Sequence, residues 1–183
     1  MIYICGIQMY KKWPEMPDVK TLNVTSSQKL NNEARKFSPF YLREFKGYPC
    51  FENFYQSLKF FEDMTEEQFL KRREDWKTYK PKKRDAWSKK KVLYTLYNGK
   101  KRDYVQTRKE IYYPMYKKII LDLDIIKNYK NKDLIVVDFD GPRENKMPVC
   151  LPFSKKLFNE KINDIESPFG HGYIVALILS ENE

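Results

Sequence analysis

The sequence predicts an α+β fold: a single compact, helix-rich domain with a small sheet. Three observations carry this. The 183 residues are 42% apolar, enough for one core. Apolar residues recur at three- and four-residue spacing through the middle of the chain. Short β-branched and aromatic runs, "MIYICGIQMY" and "KDLIVVDFDGP", read as strands.

The elements follow in order. "MIYICGIQMY" is a strand rather than a signal peptide, being short and without a basic leading segment. "KKWPEMPDVK" is a loop by its two prolines, and "TLNVTSSQK" a short strand running into a polar turn. "NNEARKFSPFYLREFKGYPC" is irregular, punctuated by Pro39, Gly47 and Pro49. From Phe51 the spacing of Phe51, Phe54, Tyr55, Leu58 and Phe61 predicts a helix with one apolar face. Glu52, Gln56 and Lys59 form a neighbouring stripe on it. "TEEQFLKRREDWKTY" is a second helix, with Thr65 as N-cap, Glu66 and Glu67 in the first turn, and Gln68 at the capping-box position.

"KPKKRDAWSKKK" is a dense basic segment, its early part a loop. "KVLYTLYNGKKRDY" reads as helix, then a turn at Asn98-Gly99. "TRKEIYYPMYKKIILDLDIIKNYKN" is helical with a break near Pro114. "KKLFNEKINDI" is a short helix, and "FGHGYIVALILSENE" a buried helix or strand. No apolar run reaches membrane-spanning length. No linker marks a boundary, so residues 1–183 read as one domain with a basic, insertion-like segment around 71–102.

The formal net charge is +10. Such an excess favours anionic partners (nucleic acid, nucleotides or an acidic surface), although it also serves solubility. Abundant Lys, Asn, Tyr, Ile and Phe with scarce Ala and Gly fit A/T-rich codons, hence a phage, another virus or an A/T-rich bacterium. Cys5, Cys50 and Cys150 are far apart, and His171 is the only histidine. This argues against a zinc site and predicts free thiols in a cytoplasmic protein, in the host cytoplasm if viral.

Four constellations have chemical potential. Glu52 sits among apolar residues, where it is either a pocket-edge acid or a surface Glu stabilised by its helix dipole. In "VVDFDGP", Asp138 and Asp140 project to the same side, as functional carboxylates at a strand exit or as turn formers. In "FGHGYIVALIL", Gly170 and Gly172 flank His171, either exposing backbone N–H groups to a phosphate or leading into a core element. The basic band, including Lys82, Lys83, Arg84 and Lys90, is interspersed with Trp76, Tyr79, Trp87 and Tyr94. It is either a nucleic-acid surface or a solvated face whose rings are core.

Taken together, "EARKFSPFYLREFKGYPCFENFYQSLKF" resembles the opening of the NADAR family. The shared positions are Phe37, Ser38, Phe40 and Tyr41, then Gly47, then Glu52, Tyr55, Gln56, Lys59 and Phe60. "DLIVVDFDGP" and "PFGHGYIVALIL" look like the family's later strand and glycine-rich closing helix. Pro39 stands where the family pattern has Asn, Asn53 where it has His, and residues 62–110 have no clear counterpart.

The resemblance implies a compact, mostly helical α+β domain. It also implies an N-glycosidase that hydrolyses the ribosyl–base C–N bond of a modified nucleotide, ribosylated base or ADP-ribosyl adduct through an oxocarbenium-like transition state. It makes Glu52 and Asp140 the catalytic acids of one pocket. Substrate contacts would come from Arg35, Ser38, Phe40, Tyr41, Asn53, Gln56, Lys59, Gly170 and His171, with Lys59 and Arg35 suited to a phosphate. No cofactor or metal is required. The alternative is a non-catalytic nucleotide- or nucleic-acid-binding protein, such as a viral counter-defence factor.

Overall fold

The computed structural model describes residues 1–7, 19–25, 33–41, 43–81 and 84–181. The architecture is α+β. In chain order the elements begin with β1 (Ile2–Gly6), β2 (Lys20–Asn23), α1 (Phe51–Ser57), β3 (Lys59–Phe61) and α2 (Glu66–Thr78). Then come β4 (Val92–Tyr97), β5 (Lys100–Arg102), α3 (Tyr104–Thr107), a π-helical turn (Arg108–Tyr112) and α4 (Tyr113–Leu121). The chain closes with β6 (Leu134–Asp138), β7 (Arg143–Glu144), β8 (Met147–Pro148), β9 (Cys150–Pro152), α5 (Lys155–Asn163) and α6 (His171–Ser180). The expected loop after β1 and the polar turn after β2 fall largely outside the described residues.

The chain divides into two compact units: Met1–Ser38 with Tyr113–Glu183, and Pro39–Tyr112. The first is built on a four-stranded sheet of order β2-β6-β1-β9. β6 runs parallel to both β2 and β1, while β9 lies antiparallel to β1. A central strand flanked by parallel neighbours needs apolar side chains on both faces. Accordingly, every residue of β6, "LIVVD", is buried. α6 packs on β1 and β6, and α4 and α5 pack on α6. Residues His171–Leu179 of α6 are all buried, so its unbroken apolar run is a core helix rather than a strand.

The expectation of three free thiols is corrected here. Cys5 and Cys150, 145 residues apart in sequence, form a disulfide. The cause is register: antiparallel β1 and β9 place these residues directly opposite each other, with Cα atoms 4.0 Å apart. Cys50 is the free cysteine, and burial pushes its thiol above the usual range.

The second unit holds α1, α2 and a three-stranded sheet of order β3-β4-β5. "KVLYTLYNGKKR" is a hairpin, not a helix. Asn98 and Gly99 both adopt positive φ, 50° and 70°, the turn geometry that matches strand twist. α1 ends at Ser57, so Lys59 lies on β3 opposite Thr95 and not on the helix stripe with Glu52. Pairing with β4 wins over helix propagation because Phe60 and Phe61 are swept into a core with Met64 and Phe69, against Trp87, Tyr94 and Leu96. α2 starts as its sequence predicts, with a reciprocal Thr65–Gln68 capping box. The π-helical turn ends two residues before Pro114. A proline cannot donate to the carbonyl four residues back, so the helical ladder loosens here.

A buried ion pair knits this unit. Arg72 Nε donates to Asp85 Oδ2 at 2.6 Å, and its Nη1 donates to the carbonyls of Gln56 (2.8 Å) and Lys59 (3.4 Å). The guanidinium lies over the rings of Phe61 and Trp76, and Trp76 Nε1 donates to Asp85 at 2.8 Å. Burial pushes the Asp85 carboxyl up, but the charge of Arg72 and hydrogen bonds from Trp76, Arg72 and Ser88 outweigh it and hold the group below its usual range. Burial also pulls the Arg72 guanidinium down, against the opposing pull of Asp85. The pair is therefore a geometric tie more than a net source of stability.

A depressed carboxyl stabilises the fold above its unfolded pKa, near 3.9, and that contribution is lost as pH falls through the folded value. Acid unfolding monitored by Trp fluorescence should therefore set in below about pH 4. Asp85→Asn, which leaves Arg72 buried without its counter-charge, should cost about 3–5 kcal/mol at neutral pH. An unchanged denaturant midpoint at pH 7 would refute the assigned role.

Candidate functional site

Glu52 is buried, at 6% exposure, in the first turn of α1. Its backbone N–H donates to the Pro39 carbonyl, pinning the start of the helix. One turn on, Gln56 Nε2 donates to Glu52 Oε1 at 2.6 Å, an i,i+4 pair that orients the carboxylate. Around the pair lies an aromatic wall: Tyr55 packs edge-on to Tyr112 at 4.7 Å and stacks on Phe51 at 6.3 Å. Burial pushes the Tyr55 phenol well above its usual range, nearby Tyr104 and Glu52 push it further, and Arg108 pulls it back. Tyr55 is therefore a neutral donor at physiological pH.

Two cations complete the cluster. Lys59, half-buried on β3, holds its ammonium 5.2 Å from the centre of the Tyr55 ring. Arg108, buried at the first residue of the π-helical turn, holds its guanidinium carbon 4.0 Å from the centre of the Tyr104 ring. An oriented carboxylate, phenols and two cations can stabilise a developing positive charge while binding an anionic substituent. Arg108, Tyr104 and Tyr112 were not candidates from the sequence. They lie 52 to 60 residues along the chain from Glu52, and the helical pattern around Pro114 gives no sign of the π turn.

The other candidates are placed as follows. Asn53 is fully buried, and its Nδ2 donates to the carbonyls of Trp76 (3.1 Å) and Tyr79 (3.0 Å), tying α1 to the end of α2. Phe40 is half-buried, and Tyr41 is exposed with Arg43 over its ring. Arg35 is exposed and Ser38 buried, both in the unit that contains β1. Asp140 also belongs to that unit, whereas Glu52 belongs to Pro39–Tyr112.

In the strand exit, Asp138 rather than Asp140 is the deeply buried acid. Its Oδ2 accepts from the Gly172 N–H at 2.8 Å and lies 3.5 Å from His171 Nδ1. His171 Nε2 pairs with the Val24 carbonyl at 2.6 Å. The start of α6, which the sequence offers as a phosphate cradle, is thus held by a carboxylate. This also explains the glycines. A Cβ on Gly170 would run into Asp138 Oδ2 and come within 2.8 Å of Asp140 Cβ, and one on Gly172 would come within 2.7 Å of Asp138 Cβ. Both acids do project to the Gly170 side, as strand alternation predicts.

The basic band is reinterpreted as well. Trp76 is fully buried, Tyr94 stacks on Phe60 at 4.8 Å, and Trp87 stacks on Phe61 at 6.5 Å. Trp76 is thus a core ring, while Trp87 and Tyr94 pack against the Phe60–Phe61 cluster and stay half-buried. Arg84 is exposed, Lys90 pairs with Asp63 at 3.0 Å, and Lys82 and Lys83 lie outside the described residues. Among the described residues, no group of three or more His, Cys, Asp or Glu side chains could hold a metal ion, and no helix is long and apolar enough to cross a membrane.

No protein-family model matches this chain, and no curated protein matches it.

Gly170→Ala should lower unfolding stability by about 1–3 kcal/mol, because the added methyl displaces the Asp138 carboxylate that holds α6. Denaturant melts check this; a wild-type midpoint would show that Asp138 moves aside without cost.

Proposed function

We propose that this chain is an N-glycosidase that hydrolyses the ribosyl–base C–N bond of a modified nucleotide, a ribosylated base or an ADP-ribosyl adduct. The observation that carries the reading is the buried Glu52 carboxylate, oriented by Gln56 and set among Tyr55, Lys59 and Arg108. The resemblance of residues 33–60 to the NADAR family supports the same assignment.

In this reaction the C–N bonding pair leaves with the base nitrogen, and positive charge develops across C1′ and the ring oxygen. Glu52 faces that charge and accepts a proton from the attacking water. The hydroxyl oxygen bonds to C1′, and the proton passes to the departing base. The net change is addition of one water across the bond, with no electron transfer. Gln56 keeps the carboxylate in place, and Lys59 suits a phosphate on the substrate.

A second reading is a nucleotide- or nucleic-acid-binding protein without catalysis. It is favoured by the charge distribution. Residues 39–112 hold nineteen Lys and Arg against eleven Asp and Glu, eight of the ten net positive charges. With Trp76 in the core and Trp87 and Tyr94 packed against it, such binding would rest mainly on phosphate contacts.

One assay separates the two. Wild type and Glu52→Gln are incubated with ribosylated bases, nucleotides, NAD and ADP-ribosylated DNA, and free base is followed by mass spectrometry. The glycosidase reading predicts release by wild type and a loss of about a hundredfold or more in Glu52→Gln, within the range of general acid–base catalysis. No release, with intact nucleotide retained by both proteins, would support the binder and overturn the glycosidase.

A further inference from the structure

Tyr104, beside the buried Arg108, stays half in solvent, at 51% exposure. Its surroundings are unlike those of a casual surface ring. One face is covered by the Arg108 guanidinium at 4.0 Å, and Arg108 itself is only 2% exposed. Its backbone is fixed by a complete capping box. Gln106 N–H donates to Asp103 Oδ1 at 2.8 Å, Asp103 N–H donates to Gln106 Oε1 at 3.0 Å, and Thr107 Oγ1 donates to the Asp103 carbonyl at 2.6 Å. The Arg102–Glu110 ion pair, at 2.7 Å, braces the same turn.

A cation on one face of a phenol ring draws π density toward itself. The opposite face then becomes a better partner for an electron-rich heterocycle. The ring is also held in place before any ligand arrives, so ordering it costs little on binding. Tyr112, on the π-helical turn that Arg108 opens, packs on Tyr55 at 4.7 Å, and Tyr55 lies one turn from Glu52 on α1, so the platform and the carboxylate flank one aromatic contact.

We propose that Tyr104 is the stacking platform for the substrate's base, with Arg108 as the positioning residue behind it; this rests on the glycosidase reading and names its leaving-group subsite. The base to be released stacks on the open face of Tyr104 while its ribose C1′ is presented to Glu52. The preference is for a planar, electron-rich purine over a base-free sugar phosphate, because only the former has a π face to offer.

The test is calorimetric titration of the intact chain, in a Glu52→Gln background to prevent turnover, with AMP, GMP and ribose 5-phosphate. Tyr104→Ala should weaken binding of both nucleotides about tenfold or more, as loss of one base–aromatic stack does, and leave ribose 5-phosphate unchanged. Tyr104→Trp should restore nucleotide affinity. Arg108→Met should weaken nucleotide binding in the Tyr104 protein and have no effect once Tyr104 is Ala. Nucleotide affinity unchanged by Tyr104→Ala would overturn the platform and leave the glycosidase reading standing. An equal loss for nucleotides and ribose 5-phosphate would also overturn it, since that marks general damage to the site. Failure of all three ligands to bind the Glu52→Gln protein would overturn platform and reading together.

Discussion

Within the Pro39–Tyr112 unit, the arrangement depends on Arg72. One guanidinium reaches the carbonyl at the end of α1, the carbonyl at the start of β3 and the carboxylate of Asp85, while Phe61 and Trp76 cover its faces. A charge removed from water is tolerated only when such partners surround it. The position of α1 is therefore set by Arg72 at its C-terminal end and by Asn53, whose amide ties it to α2. Glu52 and Gln56 inherit that rigidity. A catalytic carboxylate needs it, because small displacements of a reacting group cost large factors in rate.

The two buried acids illustrate how environment separates structural from chemical roles. Asp138 faces a helix start, and its Oδ2 is committed to the Gly172 backbone, with glycines at 170 and 172 leaving it room. Its position at the end of a fully buried strand makes it part of the frame that seats α6. Glu52 instead lies beside phenols and cations of a kind that can meet a substrate. The same residue chemistry thus supports a helix in one unit and a proposed reaction in the other.

What could be read from the sequence was local. The Thr65–Gln68 capping box and the apolar run of β6 specify their elements within a few residues, and both are found as expected. The spacing of Phe51, Phe54 and Tyr55 likewise marks a true helix. The same spacing overran into Lys59 because periodicity cannot register a strand partner 36 residues away. "VLYTLY" reads as helix in the sequence but forms a strand, decided by the Asn98-Gly99 turn that pairs it with β5. The Cys5–Cys150 bond and the packing of Tyr112 on Tyr55 are non-local, so no motif announces them. In the candidate site, Glu52 and Gln56 were legible as an i,i+4 pair, whereas Tyr104 and Arg108 emerged only from the fold.

The most direct test of the central claim is to run the reaction in ¹⁸O-enriched water with a substrate that the wild-type chain turns over, then weigh both products. Hydrolysis at C1′ predicts one heavy oxygen on the released sugar and none on the base. Label on phosphate, or label on the base itself, would contradict an N-glycosidase and place the chemistry at a different bond.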